Sequence, residues 1–130
     1  MNINQFDIAA LTVAMEAAGE SYQGQLGVAY VICNRADEGG YSLTDVCLKP
    51  YQFSCWNNDA PTRMNIDQMP EKTMGSCFKA MLDAYYELVP DPTHGANHYL
   101  NLAVCNPPPS WYDPAKVTAT IGSHTFLKLP

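Results

Sequence analysis

Positive charge is scarce in this sequence. Seven Lys and Arg stand against thirteen Asp and Glu, a formal charge of −6 over 130 residues. A nucleic-acid footprint needs clustered basic side chains that displace counterions, and no such cluster occurs, so nucleic acid is excluded as a partner. Long apolar runs are missing as well. The strongest, around Leu26–Cys33, is broken by Tyr30 and flanked by Gln25 and Asn34, well short of a membrane-spanning helix. Cys-x-x-Cys pairs are absent among Cys33, Cys47, Cys55, Cys77 and Cys105, which removes a tetrathiolate metal site. Cys33 and Cys77 fall on apolar helix positions and read as small buried hydrophobes. The spacing names no disulfide pairing. A Gly-x-Ser-x-Gly elbow, a phosphate-cradling glycine loop and a dinucleotide fingerprint are also lacking, so serine-hydrolase and nucleotide-binding readings have no support.

What is present is a core. The apolar set is 47% and runs from Phe6 to Leu129, enough for one domain spanning residues 1–130 that buries roughly two-thirds of its unfolded surface. Phe6, Ala10, Val13 and Ala17 recur at helical spacing and predict a first helix over 6–18, its alanines favouring close packing. Gly19 offers a stop and Ser21 a cap for a second helix, Tyr22 to Asp37, with Leu26, Tyr30 or Ala29, Cys33 and Ala36 inward. Gly24 and Gly27 inside it predict the close approach of another backbone. Ser42–Val46 reads as a short capped turn, and 49–70 as a long, mostly irregular loop. A third helix is expected from Glu71 to Val89, ended by Pro90-Asp91-Pro92. His98–Val104 and Ile121–Leu129 alternate enough to be strands. The expectation is an α+β fold, mainly helical, with a small late β element.

Three segments carry groups suited to chemistry. Glu16 ends a very apolar helix, where neither the helix dipole nor its neighbours favour a free carboxylate; such a group can stay protonated and act as a general acid. Glu20 follows four residues later, and the alternative reading makes both solvated helix-end residues. Gln52-Phe53-Ser54-Cys55-Trp56 mixes amide, hydroxyl and aromatic groups, the pattern that fits sugar faces edged by hydroxyls, or else a loop pinned by Phe53 and Trp56. His98 and His124, with one of Glu16, Glu20 or Asp91, could form a zinc ligand set, but no His-Glu-x-x-His pair supports it; such histidines also hydrogen-bond in polar cores. Trp111, after a stiff proline run, either walls a cleft or closes the core.

Taken in order, four motifs resemble the cell wall hydrolases of the SleB and CwlJ type, the spore cortex-lytic enzymes and related phage endolysins. They are Glu16-Ala17-Ala18-Gly19-Glu20 with Gly24 through Arg35; Gln52-Phe53-Ser54-Cys55-Trp56; Asp91-Pro92-Thr93-His94-Gly95-Ala96-Asn97-His98-Tyr99; and Ile121-Gly122-Ser123-His124-Thr125-Phe126. Leu127 and Leu100 depart from aromatics usual in that family. The resemblance implies a lysozyme-like or lytic-transglycosylase-like domain without a separate wall-binding domain. It implies cleavage of peptidoglycan between N-acetylmuramic acid and N-acetylglucosamine, with Glu16 as the catalytic acid and then base.

Under that expectation Glu20 is a second carboxylate or an orienting residue paired with Arg35. Gln52, Ser54, Trp56, His98, Tyr99 and Trp111 bind substrate, while Arg35 and His124 give structural support. No metal or cofactor is expected. The partners are glycan strands, a monomer is expected, and a phage enzyme would use a holin-type release partner. The N-terminus lacks a basic stretch, so no signal peptide is expected and the protein would stay cytoplasmic until released to the wall or periplasm. Three rivals stand beside this reading, the first two being a hydrolytic muramidase using Glu16 and Glu20, and a metal-dependent cell-wall amidase using His98 and His124. A glycan-binding module without catalysis is the third.

Overall fold

A computed structural model describes residues 2–49, 52–53 and 68–130. Helix α1, Ile3–Ala17, starts where the Asn2 side chain accepts the Gln5 N–H at 2.9 Å. Its buried stripe is Ala9, Ala10, Val13, Ala14 and Ala17, small side chains that let neighbouring helices come close. Helix α2, Tyr22–Gly39, is capped by Ser21, whose hydroxyl oxygen accepts the Gly24 N–H at 3.3 Å, and it ends on Gly40 at φ +66°. Both ends lie within two residues of expectation, because caps are local chemistry.

The interior of α2 differs from the single stripe read from periodicity. Residues 24–33 are buried without a break, since α1, the short α3 (Leu43–Leu48) and α4 (Glu71–Tyr85) pack around it, together with the strands. A helix covered on all sides needs no polar face. Its one buried amide is satisfied: Gln25 donates to the Glu20 carbonyl at 3.2 Å and accepts from the Ser76 hydroxyl at 2.6 Å. Gly27 does mark a close approach, but by a side chain and not a backbone. A Cβ there would lie 2.6 Å from the tip of the Phe126 ring.

Two expected elements are shorter. Helix α4 stops at Tyr85 rather than Val89: Glu87 turns left-handed at φ +53°, and the Leu88 N–H returns to the Asp83 carbonyl at 2.8 Å. Strand β1 is only His98–Leu100, because Asn101 folds back into a turn whose side chain accepts the Ala103 N–H. The strand expected over Ile121–Leu129 starts only at His124, after a turn, and an unexpected strand precedes it. Strand β2, Val117–Ile121, and strand β3, His124–Leu127, form a hairpin through Gly122-Ser123, with Gly122 at φ +58°. The sheet order is β1-β3-β2, antiparallel throughout, with Tyr99 opposite Phe126 and Ile121 opposite His124. β3 is central and fully buried, and it brings Phe126 against α2. Among the described residues no helix is long and apolar enough to cross a membrane.

Candidate active site

Glu16 stands half-buried in the last turn of α1. Tyr99, the middle residue of β1, donates its hydroxyl to Glu16 Oε1 at 2.9 Å across 83 residues of sequence. The Tyr99 ring is itself wedged. Its centroid lies 4.8 Å from His124, 5.9 Å from Phe126 and 6.5 Å from Phe53. Three aromatic neighbours from two other segments therefore fix the hydroxyl that meets the carboxylate.

Glu20 is turned to a different task. Its Oε2 accepts the Ser123 hydroxyl at 2.6 Å and its Oε1 the Ser123 N–H at 3.0 Å, so it clasps the β2–β3 turn. The Ser123 hydroxyl pulls its pKa below the ordinary glutamate value; partial burial opposes, and the Ser123 N–H and nearby His124 reinforce the lowering. Two glycines make the room. A Cβ on Gly122 would stand 2.5 Å from Glu20 Oε1, and one on Gly24 would stand 2.9 Å from Glu20 Cβ. The expected Glu20–Arg35 pair does not form, since the Glu20 carboxylate is engaged by the hairpin and Arg35 lies elsewhere.

Arg35 donates from Nε to the Asn97 carbonyl at 2.6 Å and from Nη1 to Gln52 Oε1 at 3.4 Å, and its guanidinium lies 5.1 Å over the Phe53 ring. It thereby ties α2 to the residue that opens β1. His98 points away from Tyr99, as alternation along a strand requires. Its Nδ1 lies 2.9 Å from Asn97 Oδ1, and its ring 5.2 Å from that of Trp111, which is 39% exposed. The Asn97 amide nitrogen donates to Glu38 Oε2 and the Leu129 carbonyl, so its oxygen accepts, and His98 Nδ1 carries the hydrogen. Burial, and then Arg35, lower the His98 pKa, against Glu38; burial also lowers that of His124, against Glu20. His124 Nδ1 is buried with no hydrogen-bond partner among the described residues.

The expected site residues thus fall into two groups. Glu16, Tyr99 and His124 meet at the end of α1. Gln52 and His98, with Arg35, line a cavity of about 620 Å³ that Glu16 does not touch. Trp111 sits beside His98, and Ser54 and Trp56 lie outside the described residues. The alternative metal set is not brought together. Asp91 is spent on its own loop, accepting from Thr93 N, Thr93 Oγ1 and Gly95 N, and it also accepts from Asn34. Among the described residues no three His, Cys, Asp or Glu stand close enough to hold an ion. Sequence reading missed Ser123 and Asn97. The signal for Ser123 was the Gly-Ser pair after the β-branched run Val117–Ile121 and before His124-Thr125-Phe126-Leu127, a hairpin turn.

A family model described as Cell Wall Hydrolase matches residues 19–127. Among solved structures, the chain is similar to the catalytic domain of the germination-specific lytic transglycosylase SleB from Bacillus anthracis. The identity is 29%, over 98% of this chain and 97% of that one, with a TM-score of 0.74. It is also similar to the catalytic domain of the Bacillus cereus SleB protein, at 31% identity over 98% and 91% of the two chains and a TM-score of 0.74. No curated protein matches the sequence significantly. The mainly helical α+β arrangement with its late sheet is the lysozyme-like fold of these catalytic domains.

Proposed function

The chain belongs to the cell wall hydrolase family, and from that premise we propose that it is a lytic transglycosylase. It cleaves peptidoglycan between N-acetylmuramic acid and N-acetylglucosamine, with Glu16 as its single catalytic carboxylate. In the first step the Glu16 proton passes to the bridging oxygen, the C1–O bond breaks, and positive charge develops at muramic C1. In the second, Glu16, now a carboxylate, takes the proton from the same sugar's C6 hydroxyl, whose oxygen bonds to C1. The product is a 1,6-anhydro end, the carboxyl is restored, and no water is consumed.

One observation carries the choice of mechanism. Hydrolysis by either stereochemical route requires a second carboxylate, as nucleophile at about 5 Å or as base for a water at about 6.5–9.5 Å. Glu20, the candidate for that role, has both carboxylate oxygens engaged by the β2–β3 turn, Oε1 by the Ser123 N–H and Oε2 by the Ser123 hydroxyl. A transglycosylase needs only Glu16, and Tyr99 supplies the positioning that one residue alternating between acid and base requires. Tyr99 therefore acts here as the partner of the acid rather than as a sugar contact, while Trp111 remains an exposed platform beside His98.

Mass spectrometry of products from purified peptidoglycan tests this. Anhydro-muramic ends are expected, and Glu16→Gln should abolish them while leaving the circular dichroism spectrum unchanged. Reducing muramic ends would show hydrolysis instead, and freed stem peptides an amidase.

A further inference from the structure

The cavity that Glu16 does not touch is charged in an ordered way. Helix α2 contributes Arg35 and Glu38 to its lining, and α3 contributes Asp45 and its C-cap Lys49. Each helix thus offers one cation and one acid. None of the four is in a salt bridge with another described residue. Arg35 is the notable member. It is half-buried, its desolvation disfavours the charge, and its partners are a carbonyl, a long contact to an amide, and the Phe53 ring. A guanidinium has five N–H donors in a fork that matches a carboxylate, and removing such a charge from water without an anion costs free energy. The volume, about 620 Å³, is that of a ligand site.

We propose that this cavity binds the peptide stem of the glycan strand, a zwitterionic peptide, with a stem carboxylate on Arg35 and Lys49 and its free amine toward Glu38 and Asp45. The assignment rests on the peptidoglycan reading above and extends it from the sugar to the peptide. Connectivity supports it. The stem hangs from the muramic residue whose C1 is attacked. Glu16 and the guanidinium are separated by the packed side chains of Tyr99 and the buried Phe53, ring centroids 6.5 Å apart with Arg35 5.1 Å beyond, and the stem passes over them. An extended stem of four residues spans up to ~13 Å, which is the same scale. A purely anionic wall polymer fits worse, because Glu38 and Asp45 repel it. The arrangement also gives an acidic protein a local foothold on an anionic wall without a basic patch.

Two measurements test the proposal. The first compares kcat/KM on glycan strands bearing uncross-linked stems with kcat/KM on the same strands stripped of stems. The second is calorimetric titration of the intact protein with a free tetrapeptide stem carrying a diamino acid. The wild type should favour stem-bearing strands by about tenfold or more, the worth of one charge-assisted hydrogen bond. Lys49→Gln and Arg35→Gln should each weaken tetrapeptide binding and reduce that preference. Arg35→Gln also loses the bond to Asn97, so Lys49→Gln, at an exposed position, serves if the former fails to fold. Equal kcat/KM on both strands, or peptide binding that neither folded variant changes, overturns the proposal. If neither strand is cleaved, the transglycosylase reading fails, and the titration alone decides: binding weakened by Lys49→Gln upholds the peptide site, and no binding removes it.

Discussion

Replacing Ser123 by Ala should loosen the sheet from the helices in a way that depends on pH. The change removes the hydroxyl bond to Glu20 Oε2 at 2.6 Å and leaves the backbone N–H on Oε1. A hydrogen bond to a charged group contributes about 1.5–3 kcal/mol when shielded. Glu20 is partly exposed, and water replaces much of what is lost, so about 1 kcal/mol is the expected cost. For a domain between 100 and 150 residues that is a fall in Tm of roughly 3–6 °C. The sign with pH follows from the lowered pKa of Glu20. A group whose folded pKa is depressed contributes its stability fully above the unfolded value, and loses it as pH falls through the folded value. The deficit of Ser123→Ala should therefore be complete at pH 7 and shrink below about pH 4, where the wild type loses the same interaction. Thermal unfolding of both proteins from pH 7 to pH 3.5 measures it. A Tm within 1 °C of wild type at pH 7, by the roughly 3–6 °C scale above, refutes the clasp, as does a deficit that stays constant into acid.

Three further outcomes follow from the same geometry. Tyr99→Phe keeps the ring packing but removes the donor to Glu16, and should lower kcat by about 10–100-fold, read from anhydro-product formation, with a fall in Tm similar to that of Ser123→Ala. Gly27→Ala places a Cβ 2.6 Å from the buried Phe126 ring and should cost about 1–3 kcal/mol, seen as a lower urea midpoint at unchanged slope. Burial pushes the thiols of Cys33 to about 12 and of Cys47 and Cys77 to about 11, so at pH 8 a thiol reagent should reach half-buried Cys105 well before those three. Labelling of Cys33 at the rate of Cys105 in the folded protein would contradict the packing.

What the sequence made legible was local. Ser21 starts α2 where expected because a cap involves residues a few positions apart. Glu16 was identifiable by its place at the end of an apolar helix. Partnerships across the chain were not. The bond between Glu20 and Ser123 spans 103 positions and that between Glu16 and Tyr99 spans 83, and no periodicity encodes either. Glu20 was therefore expected to pair with Arg35 when its partner is a turn in the last hairpin. β2 was overlooked because Val117–Ile121 is half-exposed and short, although Gly122-Ser123 announced its end. Helix α4 was expected to run to Val89 because Glu87 carries no warning that it turns left-handed. The all-round burial of α2 depends on three other helices arriving, which a single-helix pattern cannot show.

The two glutamates at the α1–α2 junction grip different strands, Glu16 the residue Tyr99 in β1 and Glu20 the turn that leads into β3. Both grips join an early segment to a late one, so each closes a loop of most of the chain and holds only where helix and sheet are both in place. Catalytic activity in this protein is thus a gauge of completed assembly: a half-folded chain still carries Glu16, but has nothing to aim it.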